Sequence, residues 1–199
     1  TPDVEGLSHF YGRNAMPTWE VLEHQLGLLE AAPCVAFPSG MAAISAALIS
    51  GLQAGKKLIL PSDGYYVSRV LAADILAPYG VVVQEVATKD FATTDFSGAA
   101  LVLLETPSNP GLDVVDIAQI SERVHAAGGL VVVDNTTMTP LLQRPLDLGA
   151  DVVVAADTKA PAGHSDVLFG HVASNNAAFL ARVRNWRRLS GAVPGAFEA

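Results

Sequence analysis

Few features of the sequence suit a secreted, membrane-embedded or nucleic-acid-binding protein. Cys34 is the only cysteine among 199 residues, so no disulfide can form within the chain, and a reducing, cytoplasmic compartment is expected. No apolar run approaches the length of a membrane span, and the polar first residues show no signal-peptide pattern. Charged residues make up only 16% of the chain and the net charge is −8, which argues against a nucleic-acid partner because phosphate backbones require a basic face.

Several common catalytic and binding motifs are also missing. No Gly-x-Gly-x-x-Gly fingerprint for a dinucleotide is present, and residues 51–56 lack the spacing and the hydroxyl residue of a phosphate-binding loop. His164, Ser165 and Asp166 are the three residue types of a hydrolase triad, but contiguous residues cannot form its geometry. The five histidines show no metal-ligand spacing, so no metal site is expected.

Short apolar segments alternate with helical patterns along the chain. Helices are predicted at 17–31, 42–52, 67–76, 116–127 and 176–189, and strands at 34–37, 57–60, 81–86, 101–104, 130–133, 152–155 and 168–174. Thr18, Ser39 and Asp116 are the predicted helix caps. Because the strands are apolar throughout, both faces of their sheet need cover. The pattern predicts an α/β fold with a mostly parallel central sheet and helices on both faces.

Polar residues follow three of these strands directly. Asn109, Asp134 and Lys159 each lie just past an apolar run, and in parallel sheets ligands bind at the carboxyl ends of the strands. We therefore expect the three side chains to line one cleft. Lys159 follows a strand buried on both faces, so desolvation would make its amine a usable nucleophile. The alternative is that its stem reaches solvent beyond the strand end.

These residue types suit the chemistry of pyridoxal phosphate (PLP). A lysine can form a Schiff base with the cofactor aldehyde, and an ionised carboxylate keeps the pyridine nitrogen protonated. Ser39, Gly40 and Met41 begin a predicted helix, and the N–H groups of a helix N-terminus bind phosphate. Tyrosine residues in the 62–66 loop could cover one face of the ring.

The motifs together resemble the transsulfuration family of PLP-dependent enzymes, which includes cystathionine γ-lyase, cystathionine γ-synthase, cystathionine β-lyase and methionine γ-lyase. The resemblance extends through nearly the whole chain and rests on five stretches in the family's order. They are Tyr11-Gly12-Arg13 with Pro17-Thr18 and Leu22-Glu23, residues 39–44, the ETPSNP segment at 105–110, residues 133–136, and Thr158-Lys159 with residues 163–166. This family implies the large domain of the aspartate aminotransferase-like fold.

The resemblance also implies roles for individual residues in the cofactor site. Lys159 would be the Schiff-base lysine and proton shuttle, and Asp134 would pair with the pyridine nitrogen. Gly40 and Met41 would bind the phosphate through backbone N–H groups, with a hydroxyl from Thr158. Asn109 would contact the cofactor's 3′-hydroxyl or the substrate carboxylate.

Two further roles come from residues that flank this set. Tyr65, anchored by Asp63, is the expected stacking ring and a catalytic candidate, with Tyr66 as the alternative. Tyr11 and Arg13 would reach the phosphate of a neighbouring subunit, so residues 1–16 are expected to form an extended arm. The family relationship implies a homo-oligomer, with a dimer of dimers favoured.

The sequence departs from the family pattern in places. Ala156 replaces a serine near the lysine, which removes one phosphate hydroxyl, and Met16 replaces an asparagine before Pro17. The family's smaller C-terminal domain, which contains its substrate-carboxylate arginine, is expected to lie outside this chain. Residues 17–199 are therefore expected to form the PLP-binding large domain alone.

The expected activity is C–S bond cleavage in a sulfur amino acid, with α,γ-elimination of cystathionine as the leading reaction. Cystathionine γ-synthase or an O-acylhomoserine sulfhydrylase is the alternative within the family, since both perform γ-replacement on the same scaffold. An alternative of another class is a catalytically incomplete unit that binds cofactor and assembles without turnover.

Overall fold

The computed structural model describes residues 9–199. Within them, one sheet of seven strands forms the centre of the molecule. The strands are β1 (Cys34–Phe37), β2 (Lys57–Pro61), β3 (Val82–Val86), β4 (Ala99–Glu105), β5 (Leu130–Asp134), β6 (Val152–Ala155) and β7 (Gly170–Ala173). The helices are α1 (Pro17–Glu30), α2 (Gly40–Gly51), α3 (Tyr66–Leu71), α4 (Ile117–Ala126), α5 (Thr139–Leu142) and α6 (Ala177–Ser190).

The strand order in the sheet is β1-β7-β6-β5-β4-β2-β3. Strands β2 to β6 pair in parallel, while β7 is antiparallel to both of its neighbours, β1 and β6. The reversal of β7 follows from the connection before it: no helix lies between β6 and β7 to return the chain to the same edge. The predicted α/β fold with a mostly parallel sheet is confirmed.

Helices cover both faces of the sheet, as the apolar strands require. On one face, Ala47 of α2 and Phe179 of α6 pack with Val132 and Val172 in the largest apolar cluster. On the other face, α4 packs on Val131 and Val133, and α1 packs through Trp19 on the β1, β6 and β7 end of the sheet. Alternate residues of β5 thus enter different clusters, which is the period-two pattern of a strand buried on both sides.

The helix caps are only partly as predicted. Ser39 Oγ accepts from the Ala42 N–H at 3.1 Å, and Asp116 caps α4 through the Gln119 N–H at 3.0 Å. The predicted Thr18 cap is wrong, because α1 begins at Pro17 with Met16 as an N-cap that makes no side-chain bond. Proline favours the first helical position since its fixed φ suits the helix and the missing N–H has no partner there.

Other elements differ from the sequence pattern in length or kind. The helix predicted at 67–76 is α3 followed by a π-helical turn at Ala72–Leu76. The last strand is shorter than the predicted 168–174, and the short 3₁₀ helix at Thr88–Thr93 was not predicted. The short turn predicted at 147–150 is a 3₁₀ turn that begins earlier, at Pro145–Leu148. The extended arm predicted at 1–16 is wrong for residues 9–16, where the Asn14 N–H bonds the Tyr11 carbonyl at 2.8 Å in a turn. Residues 1–8 of that arm lie outside the described residues.

Candidate active site

A cleft of about 330 Å³ opens at the carboxyl ends of β4, β5 and β6, facing the N-terminus of α2. Seven of the nine residues predicted to hold the cofactor line it. They are Gly40, Met41, Tyr65, Asn109, Asp134, Thr158 and Lys159. The expectation that the residues after the three strands share one cleft is therefore confirmed, and the topology explains it: parallel strands place their carboxyl ends at one edge.

Asp134 is the last residue of β5 and lies at the buried end of the cleft, only 9% exposed. Its Oδ1 accepts from the Thr136 N–H at 3.0 Å and from the Thr136 hydroxyl at 2.6 Å. Burial raises the pKa of Asp134, while both bonds from Thr136 oppose that rise. A cation bound against the carboxylate would offset the desolvation, because an opposite charge favours the ionised form.

Thr136 is a site residue that the sequence interpretation left without a role. Its hydroxyl donates to Asp134 and accepts from the Ala156 N–H at 2.8 Å. It therefore ties the carboxylate to the first residue after β6. The signal was present in the sequence, since a hydroxyl two residues after an aspartate can bond back to it.

Glu105 is a second residue of the cleft without an assigned role. Its Oε2 accepts from the Tyr65 N–H at 2.5 Å. Burial raises the pKa of Glu105 to about 7, with a smaller contribution in the same direction from the Asp134 carboxylate. Its position at the end of β4, beside the strand that ends in Asp134, would have identified it as a cleft residue.

The two tyrosines of the 62–66 loop have different environments. Tyr65 is half-buried and lines the cleft, whereas Tyr66 is 63% exposed and meets Tyr65 edge-on with ring centroids 5.6 Å apart. The predicted anchoring of Tyr65 by Asp63 is wrong. Asp63 instead accepts from the N–H and hydroxyl of Thr88, and Glu105 fixes the Tyr65 backbone.

The N-terminus of α2 forms the opposite wall. Ser39 caps the helix through Ala42, and among the described residues no acceptor meets the N–H groups of Gly40 and Met41. A Cβ on Gly40 would lie 2.4 Å from Ala156 Cβ and 2.9 Å from Ala156 Cα. Only glycine allows the helix to start this close to the end of β6.

Thr158 lines the cleft beside these N–H groups, but its hydroxyl is already bonded. It donates to the Phe169 carbonyl at 3.1 Å and accepts from the Phe169 N–H at 3.0 Å. Its contacts hold the segment after β6 against the segment before β7. To donate to a phosphate, this hydroxyl would have to turn its proton away from the Phe169 carbonyl.

Lys159 lies on a loop and is exposed, not buried. The expectation of a desolvated amine after a buried strand is wrong for this structure, because three residues of loop separate Lys159 from the end of β6. The loop itself is ordered by backbone bonds, from the Lys159 N–H to the Ala156 carbonyl at 3.2 Å and from the Gly163 N–H to the Lys159 carbonyl at 2.9 Å. Its amine therefore enters the cleft from a fixed turn.

Tyr11 and Arg13 do not contribute to the cleft of their own chain. The Arg13 guanidinium lies 5.1 Å from the centre of the Tyr11 ring and donates to the Arg188 carbonyl at 3.0 Å. Tyr11 is 53% exposed. These contacts hold both side chains at the surface, where a second subunit could meet them.

The donor set of the cleft suits PLP. Free N–H groups at the α2 N-terminus match a phosphate, the buried Asp134 carboxylate matches a protonated pyridine nitrogen, and the Lys159 amine can bond an aldehyde. When bound, the cofactor acts as an electron sink for the carbanion of an amino-acid substrate. No group of three or more candidate metal ligands occurs among residues 9–199.

Comparisons with known proteins agree with this interpretation. Residues 3–199 match the family described as Cys/Met metabolism PLP-dependent enzyme, and the chain belongs to that family. A Streptomyces coelicolor protein named "Putative cystathionine gamma-lyase" is 50% identical over 95% of this chain and 50% of its own.

Solved structures show the same likeness. A Micromonospora echinospora structure described as a cystathionine γ-lyase is 43% identical with a TM-score of 0.89, over 95% of this chain and 51% of the other. A cystathionine γ-synthase from Xanthomonas oryzae, solved with cystathionine, is 34% identical with a TM-score of 0.90, over 94% of this chain and 50% of the other. The chain thus spans about half the length of these relatives. No helix in the described part is long and apolar enough to cross a membrane.

Proposed function

We propose that the protein is a PLP-dependent C–S lyase acting on a sulfur amino acid, with cystathionine γ-elimination as its main reaction. The observation that supports this most is the meeting of Lys159, Asp134 and the α2 N-terminus in one cleft. Relatives in the family are named for reactions on cystathionine and methionine, and the 50% identical relative is named for γ-lyase chemistry.

In this proposal each element of the cleft has one task. Gly40 and Met41 bind the phosphate through their N–H groups, and Asp134, held by Thr136, pairs with the pyridine nitrogen. Lys159 attaches the cofactor and then removes the α proton of the substrate, followed by a β proton as the γ-thiol leaves. Tyr65 covers one face of the ring, and Asn109 contacts the 3′-hydroxyl or the substrate carboxylate.

The arm supports an oligomeric proposal. Tyr11 and Arg13 lie outside their own cleft, and we propose that they complete the phosphate site of a neighbouring subunit in a homo-oligomer, with a dimer of dimers favoured. We further propose that residues 17–199 form the cofactor-binding domain, and that the protein works in the cytoplasm.

The first test is the visible absorption spectrum of the purified chain with PLP, before and after borohydride reduction. The expected result is a yellow band that reduction removes, with the pyridoxyl group on the peptide that contains Lys159. Lys89→Ala serves as the control variant. Lys89 lies on the short 3₁₀ helix at Thr88–Thr93 and does not line the cleft, so Lys159 should be labelled in this variant as it is in the parent. A chain that PLP cannot colour would contradict the proposal.

The second test separates the candidate reactions. Release of 2-oxobutanoate and cysteine from cystathionine would support the lyase, whereas formation of cystathionine from an acylhomoserine and cysteine would support γ-replacement. Labelling at Lys159 with no turnover of either substrate pair would support the incomplete cofactor-binding unit instead.

A further inference from the structure

A cluster of three buried titratable residues lies outside the cleft and has no role in the chemistry above. His171 of β7 is 1% exposed and sits between two carboxylates. Its Nδ1 lies 2.8 Å from Asp157 Oδ2, and its Nε2 lies 3.2 Å from Glu30 Oε1. Three separate parts of the chain therefore meet at one imidazole: the end of α1, β7 and the segment that leads to Lys159.

The geometry defines the charge of this cluster. Both ring nitrogens of His171 face carboxylate oxygens, which accept hydrogen bonds, so both nitrogens must donate and the ring is an imidazolium. Burial alone would lower the pKa of His171, but the carboxylates of Asp157 and Glu30 together outweigh that effect and raise the pKa to about 10.

Other polar and charged groups lie around the cluster, including Arg184, whose charge opposes the rise in the pKa of Cys34. Glu30 Oε2 is buried and has no hydrogen-bond partner within the described residues. The thiol of Cys34, on the neighbouring β1, is held neutral by burial and by the carboxylates of Glu30 and Asp157, which raise its pKa. The Glu23 carboxylate is paired with Arg187. On the cleft side, the charge of His171 acts to lower the pKa of Asp134.

Asp157 connects the cluster to the catalytic loop. It is two residues before Lys159, its carboxylate is bound to His171, and its carbonyl accepts from the Ala162 N–H at 2.9 Å. The turn that presents Lys159 thus begins at a residue whose side chain is tied to β7. The neighbouring Thr158 is tied to Phe169 in the same way.

We propose that His171 is a positioning residue for Lys159: with Glu30 it anchors Asp157 and thereby fixes the 156–163 turn. This inference rests on the proposed role of Lys159. The cluster would thus determine where the Lys159 amine lies in the cleft.

The first experiment is hydrogen exchange on the cofactor-free chain, which needs no PLP and so does not depend on the proposed function. His171→Gln is expected to raise exchange at the Ala162 and Gly163 amides about tenfold, while α4 amides keep their protection. His125→Gln is the matched control, because it removes another histidine–aspartate pair, in which His125 Nε2 lies 2.9 Å from Asp151 Oδ2 at the surface. This variant should leave the turn unchanged. Unchanged exchange in the His171 variant would overturn the anchoring.

The second experiment tests the effect on Lys159 itself, which a change in overall stability would not reproduce. The chain is titrated with PLP, and labelling of the Lys159 peptide by borohydride is measured at each concentration. His171→Gln is expected to need about tenfold more PLP for half-labelling, whereas His125→Gln should match the parent.

The outcomes separate this inference from the proposed function. Borohydride labelling of Lys159 at the same PLP concentration in all variants would keep the proposed function and reject the positioning of Lys159. If His171→Gln does not fold, Asp157→Asn alone keeps an acceptor for Nδ1 while removing the charge. That variant is expected to raise exchange at the same two amides to a smaller degree, and unchanged exchange there would also reject the anchoring.

Discussion

Glu105 and Asp134 are direct neighbours in the sheet, paired at the ends of β4 and β5. Both carboxylates line the cleft, and the Asp134 carboxylate contributes to the raised pKa of Glu105. Asp134 is the partner proposed for the cofactor, whereas Glu105 binds the Tyr65 backbone. One end of the sheet thus presents two carboxylates with different tasks, one toward the ligand and one toward the loop that covers it.

The raised pKa of Glu105 predicts a pH dependence of stability in the cofactor-free chain. The folded chain has a pKa of about 7 at this group, against 4.5 normally, so its stabilising contribution is present below pH 4.5 and lost as pH rises through 7. Glu105→Gln should remove this loss. The difference between the free energies of unfolding, parent minus variant, should therefore fall by about 2 kcal/mol between pH 4.5 and pH 8. Urea titrations at several pH values measure it. A constant difference across that range would contradict the shifted pKa.

Tyr65 and Tyr66 offer a matched pair of variants. Tyr65→Ala should weaken PLP binding about fivefold, because a stacked ring contributes roughly 1 kcal/mol, while Tyr66→Ala should leave it nearly unchanged. Titration of each variant with PLP, followed by the visible band, gives the dissociation constants. Weaker PLP binding in Tyr66→Ala than in Tyr65→Ala would identify Tyr66 as the stacking ring.

Gly40 should not tolerate a side chain. Gly40→Ala places a methyl group 2.4 Å from Ala156 Cβ, so we expect a loss of about 1–3 kcal/mol in stability and weaker binding of phosphate at the α2 N-terminus. Thermal unfolding with and without inorganic phosphate measures both effects. Combining the change with Ala156→Gly should recover part of the stability, since only the contacts with the Ala156 backbone remain. No recovery would mean that the strain arises elsewhere.

Shared sites between subunits can be tested by mixing two inactive variants. If Arg13 serves the neighbouring cleft, Arg13→Ala and Lys159→Ala chains refolded together would form hybrid dimers in which one site has both residues. About a quarter of the parent's tight PLP sites should return by random pairing. Each variant alone provides the baseline, and absence of any gain on mixing would place Arg13 outside the site.

Much of this arrangement could be predicted from the sequence because strand ends are informative. Apolar runs located β4, β5 and β6, and the polar residue after each one reached the same cleft. What could not be predicted depends on contacts between distant segments. The Glu105 bond to Tyr65 spans the loop after β2 and the end of β4, and local patterns contain no information about such a pair.

The exposure of Lys159 and the buried state of His171 show the same limit. A lysine near an apolar strand was expected to be buried, but Lys159 lies on a loop after β6, where it is exposed and lines the mouth of the cleft. A histidine within an apolar strand gave no sign that two carboxylates meet it from α1 and the 156–163 turn. Burial of a polar side chain depends on tertiary partners, which periodicity does not reveal.

The position of β7 determines when β1 gains its partner during synthesis. In the described part of the chain, β1 pairs only with β7, so this pairing can form only after β2 to β6 have been synthesised. Gly170 and His171 of β7 contact the α2 N-terminus and the turn before Lys159. One wall of the cleft therefore depends on a strand that is made after the strands that lead to Asp134 and Lys159.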